Sequence, residues 1–115
     1  MTAPVAPEDD AARQALERLV DCIDESVAEL TLARARADLL LEGRRGGTPW
    51  AGLVTDEPRP LVVETVSSVL SALATAGHGW RREEAAALRR EGVSINRIAA
   101  LFGVTRQRIS ALLRE

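Results

Sequence analysis

The side chains best suited to recognition chemistry lie near the end of the chain, in the run Thr105-Arg106-Gln107-Arg108-Ile109-Ser110-Ala111-Leu112-Leu113-Arg114. At helical spacing, Ile109, Leu112 and Leu113 share an inward face, which leaves Arg106, Gln107, Arg108 and Ser110 pointing outward. Such a row carries guanidinium forks, a carboxamide and a hydroxyl. A guanidinium is permanently charged and presents planar donors that match paired acceptors on a phosphate or on guanine. This is hydrogen-bonding chemistry and not bond-breaking chemistry.

The elements that position this row are read just upstream. Ser94 is placed to cap a short helix through its hydroxyl. Ile95, Ile98, Ala99 and Phe102 fall on one face of that helix. Gly103 supplies a left-handed residue to end it. Val104 is expected to plug the corner, and Thr105 to cap the second helix. A helix-turn-helix that reads DNA has this layout: a small residue where the helices cross, a glycine at the turn, and polar side chains on the leading edge of the second helix.

Catalytic chemistry finds little support. The chain has one Cys and one His, far apart, which gives neither a Cys–His pair nor a Cys-based metal cluster. Cys22 reads as a small core or interface thiol, and His78, between two glycines, as a loop residue. Glu83-Glu84 and Asp9-Asp10 read as helix N-terminal charges. No glycine-rich phosphate loop follows a strand. The chain is therefore expected to be no enzyme and to need no cofactor or metal.

Composition points to helices. Of 115 residues 46% are hydrophobic but only 3% aromatic; a core of Leu, Val, Ile and Ala with no alternating strand pattern predicts an all-α fold. The net charge of −2 is unevenly spread. Residues 1–58 carry 12 acids against 6 Arg, and residues 81–115 carry 4 acids against 8 Arg. A basic C-terminal unit on an acidic remainder suits phosphate binding beside a separate partner surface. Met1–Asp10 is acidic and contains Pro, unlike a secretory leader, and no apolar run is long enough to span a bilayer. A cytoplasmic protein is expected, with no membrane partner.

In chain order, residues 1–7 read as a disordered lead and 8–77 as a helical dimerisation or scaffold region. Glu8, Asp9 and Asp10 favour a helix start. No Gly or Pro then interrupts the chain until Gly43. Leu16, Leu19, Val20, Ile23, Val27, Leu30, Ala33, Ala37 and Leu40 predict one amphipathic helix to Glu42, roughly 50 Å long. A small domain does not cover such a helix, so its face requires either another helix of the chain or a second copy. Homodimerisation through Leu16, Leu19, Val20, Ile23, Val27 and Leu30 is the favoured expectation. Gly43-Arg44-Arg45-Gly46-Gly47 reads as a helix end and flexible break, its arginines placed by the helix dipole or serving as a groove-contacting arm. Thr48 and Pro49 are expected to start a short helix whose Trp50, Leu53 and Val54 plug the core, with ligand or partner contact by Trp50 as the alternative. A third helix is predicted over residues 61–76, ended by Gly77-His78-Gly79. A further helix over residues 81–91, capped by Gly92, completes a three-helix unit over 80–115.

Residues 81–114 resemble the helix-turn-helix of bacterial transcription regulators, in particular the sigma-factor region 4 and resolvase-like types. The matching residues are Glu91-Gly92-Val93-Ser94, Ile98-Ala99, Phe102 through Ser110, and Leu112-Leu113. The resemblance implies that Thr105, Arg106, Gln107 and Ser110 face the major groove of double-stranded DNA, with Gln bonding adenine and Arg guanine. It places Arg108 and Arg114 on phosphates, with Ser94 and Arg97 helping. Arg81, Arg82, Arg89 and Arg90 either reach flanking backbone or form a solvated face paired with Glu83, Glu84 and Glu91. The leading expectation is a sequence-specific transcription regulator. The alternative is a protein-interaction module that contacts RNA polymerase, a sigma factor or a partner regulator. An antitoxin or phage-type regulator would combine DNA binding with a protein partner.

Overall fold

The computed structural model describes residues 10–115, and the expectations for residues 1–9 lie outside them. The fold is all-α, with five helices: α1 (Ala11–Arg45), α2 (Trp50–Asp56), α3 (Val62–Arg90), α4 (Ile95–Phe102) and α5 (Arg106–Leu113). The chain forms two compact units. One is Asp21–Ala74, and the other joins the chain up to Val20 with Thr75–Glu115.

In the unit Asp21–Ala74, α1 packs against α3. Its most buried side chains are Ser26, Ala33 and Val69. Two carboxylates satisfy the free amides at the start of α3: Glu57 Oε1 accepts from Val62 N at 2.8 Å, and Glu64 Oε1 reaches back to Leu61 N at 3.2 Å. Arg36 donates to the carbonyl of Pro58.

Three local expectations are corrected in this unit. Helix α1 does not end before Gly43 but runs to Arg45. Gly43 lies inside it because α2 crosses there: a Cβ on Gly43 would stand 2.7 Å from Leu53 Cδ2. The turn comes at Gly47, in the left-handed region at φ 92°, where Thr48 N donates to Gly43 O at 3.0 Å. Pro49, not Thr48, occupies the N-cap of α2. Trp50 is no core plug: it is 53% exposed, its ring lying under the Arg44 guanidinium at 5.3 Å.

The second unit holds the clearer core. Ala85 from α3, Ile98 and Ala99 from α4, and Ile109 and Leu112 from α5 are buried together, with Leu88, Val93, Ile95, Phe102 and Leu113 packed around them. Ala12 and Ala15 of α1 are also buried. Asp10 caps α1, its Oδ1 accepting from Arg13 N at 2.9 Å.

The expected break at Gly77-His78-Gly79 is absent, since α3 is one helix of 29 residues. Each glycine costs a helix about 1 kcal/mol relative to Ala. Apolar residues on both sides of the pair, Val69 upstream and Ala85 downstream, are buried, and this burial outweighs the local propensity. The helix ends at Gly92, at φ 87°, where Val93 N donates to Leu88 O at 3.0 Å.

The single apolar stripe expected on α1 resolves into two faces. Ala12, Ala15, Ser26 and Ala33 are buried, with Leu19, Cys22, Ala37 and Leu40 half-buried beside them. Leu16, Val20, Ile23, Val27 and Leu30 form a separate row that is 39–59% exposed. No helix among the described residues is long and apolar enough to cross a membrane.

Candidate nucleic-acid interface

The turn between α4 and α5 is built by three local devices. The Ser94 hydroxyl accepts from Arg97 N at 3.1 Å and starts α4. Gly103, at φ 68° and ψ 33°, ends it in a conformation that costs any residue with a Cβ. Val104 N then bonds Ala99 O at 3.0 Å, and the Thr105 hydroxyl starts α5 by accepting from Arg108 N at 3.2 Å. Ala99 is buried and Ile98 and Ile109 are fully enclosed, so the two helices are held by a small crossing residue and a pair of isoleucines. Val104 does not plug the corner as expected. It is 40% exposed and contributes its amide.

With Ile109 and Leu112 inward, a turn of about 100° per residue distributes the rest of α5. Gln107, Ser110, Ala111 and Arg114 share the side opposite the core. Arg106 lies on one edge, and Arg108 and Glu115 on the other. Gln107, Arg106, Arg108 and Arg114 are exposed, and Ser110 is half-buried. Six of the eight expected DNA-facing residues thus lie on or next to one short helix. The other two, Ser94 and Arg97, start α4, and Arg97 is exposed there. Ser94 and Thr105 already use a hydroxyl lone pair on the backbone, which leaves each O–H free to donate.

Arg108 also lines an open groove of about 500 Å³ with His78, Arg81, Phe102, Val104 and Glu115. The Arg81 guanidinium lies over the Phe102 ring, 4.1 Å from its centroid. His78 Nε2 meets both carboxylate oxygens of Glu115, at 3.0 and 2.9 Å. Arg81 and Arg82 pair with Glu84 and Glu83 at 3.4 and 3.3 Å, and Arg89 donates to Val93 O at 3.1 Å. Reading residues 77–79 as a loop hid His78 from this cluster. On a continuous helix the spacing 78, 81, 85 places His78 and Arg81 in line with the buried Ala85. Ala111, on the outward face, carries no polar signal in the sequence.

Cys22 is a free, half-buried thiol. Among the described residues, no three His, Cys, Asp or Glu side chains are grouped to hold a metal ion. No protein-family model, curated protein or solved structure matches the chain.

Proposed function

We propose that the chain is a sequence-specific DNA-binding regulator of transcription, acting as a homodimer. The observation that carries this reading is α5 itself, a capped helix set on a glycine turn, whose side away from the core presents Gln107, Ser110 and Arg114 with Arg106 and Arg108 on its edges. Inserted in a major groove, Gln107 and Arg106 have the donors and acceptors to read adenine and guanine, and Thr105 and Ser110 offer hydroxyls. Arg108, Arg114 and Arg97, helped by Ser94, supply phosphate affinity, which makes binding salt-dependent. One such unit reads few base pairs, and two copies on half-sites about 34 Å apart add the missing contacts. The exposed row Leu16, Val20, Ile23, Val27 and Leu30, with Leu19 on its border, supports self-association through α1.

A second reading is a protein-interaction module for RNA polymerase, a sigma factor or a partner regulator. Further exposed apolar side chains, Leu32 and Leu39 on α1 and Val63 and Leu70 on α3, favour it. Binding to genomic DNA fragments at two salt concentrations separates the readings. Under the first, affinity falls steeply with salt, and Arg106→Ala and Gln107→Ala weaken binding or change its sequence preference. Unchanged binding in both variants removes the groove-reading assignment.

A further inference from the structure

We infer that α1 pairs with α1 of a second copy in parallel and in register. This rests on the homodimer reading above and adds the direction of pairing, which decides where the two recognition helices go. The steps from Leu16 to Val20, Ile23, Val27 and Leu30 are four, three, four and three residues, the alternation of a coiled-coil seam. Val20 and Val27 then take one core position of the heptad, and Leu16, Ile23 and Leu30 take the other. Val at the first with Leu at two of the three second positions, 16 and 30, suits a parallel two-stranded pair. All five are exposed within the chain.

The charges flanking the seam favour the same direction. One border carries Ala12, Leu19, Ser26 and Ala33, uncharged and largely buried within the chain. The other carries Asp10, Glu17, Asp24 and Asp38, with Thr31 its one uncharged position. Parallel pairing sets the acidic border of each copy beside the uncharged border of its partner. Antiparallel pairing sets acid against acid, with Glu17 of one copy near Asp24 of the other, and like charges across an interface are unfavourable. Register follows from the length of the row: in register all five of its layers are apolar and the Arg13 and Arg34 pairs fall beyond its two ends, whereas a slip of one heptad leaves three such layers and sets Arg13 and Arg34 against Val20 and Val27.

Direction matters because the start of α1 belongs to the same compact unit as α4 and α5. Parallel pairing brings the two starts of α1 together. Antiparallel pairing sends them to opposite ends.

Disulfide trapping in the full chain tests this. In a Cys22→Ser background, Leu16→Cys, Val20→Cys and Leu30→Cys are oxidised mildly one at a time, with Arg18→Cys on the opposite side of the helix as the collision control. Parallel pairing predicts that each seam variant links to itself in most of the protein and that the control does not. An equimolar mixture of Leu16→Cys and Val27→Cys then gives no mixed product, since the two sites lie roughly 16 Å apart along a parallel pair. A mixed Leu16–Val27 product without self-linked Leu16 or Leu30 overturns the parallel assignment and leaves the homodimer standing. A dimer by sedimentation with no seam cross-link overturns pairing through α1. A monomer at high micromolar concentration overturns the homodimer and its direction together. Salt-sensitive DNA binding, measured separately, tests the recognition-helix reading whichever way the helices pair.

Discussion

The Thr105 hydroxyl accepts the Arg108 backbone amide at 3.2 Å, and this one bond ties the turn to the first residues of α5. It orders the backbone that carries Arg106, Gln107 and Arg108. Ser94 does the same for α4 through Arg97 N at 3.1 Å.

Removing either cap leaves amides of a helix first turn without a partner. Thr105→Ala and Ser94→Ala should each lower stability by about 1 kcal/mol, while Thr105→Ser keeps the cap. Thermal melts followed by circular dichroism check this. A Thr105→Ala melt identical to the parent would show that the cap contributes nothing.

The glycines separate into two kinds with opposite predicted effects. Gly77 and Gly79 lie within α3, and a Cβ at either meets nothing within 4 Å. Gly77→Ala and Gly79→Ala should each stabilise by up to about 1 kcal/mol. Gly103 has as much open space around it but sits at φ 68°. Gly103→Ala should destabilise by about 1–2 kcal/mol. Loss of stability in both α3 variants would mean that the segment is not helical.

Ile98 and Ile109 are fully buried in the helix-turn-helix core. Ile98→Ala or Ile109→Ala should cost about 2–5 kcal/mol, read as a lower denaturant midpoint. Leu16→Ala, on the exposed row, should cost the isolated chain less and show its effect in the association constant measured by sedimentation.

Under the DNA-binding proposal, the residues assigned to bases and those assigned to phosphates should fail differently. Arg106→Ala and Gln107→Ala should each cost about 1–3 kcal/mol on the preferred site and relax its sequence preference. Arg108→Ala and Arg97→Ala should weaken all sequences alike and reduce the salt slope by about one unit each. Fluorescence anisotropy on specific and scrambled duplexes at several salt concentrations distinguishes the two patterns.

The parts of the fold that were legible in the sequence are those where one residue type has one physical use. Ser94 and Thr105 before apolar-periodic runs, and Gly103 between them, marked two caps and a left-handed turn, all of which the structure contains. The errors arose where a residue has several uses. Gly77 and Gly79 read as a helix end because glycine breaks helices on average, yet burial of Val69 and Ala85 carries α3 through them. Gly43 looked like a terminator and instead makes room for Leu53. On α1 the large side chains drew attention to Leu16, Val20, Ile23, Val27 and Leu30, while the face the chain buries uses Ala12, Ala15, Ser26 and Ala33. Small residues carry almost no hydropathy signal, but they allow close helix contact. His78 was missed for the same reason as the α3 continuity.

Selection of bound duplexes from a random pool by the full-length chain tests the central claim most directly. Groove reading by α5 in a dimer predicts an enriched palindrome whose half-site centres lie about one helical turn, or a multiple of it, apart, lost when Arg106→Ala and Gln107→Ala are combined. A pool with no enriched sequence after repeated rounds, from a folded chain, would contradict it.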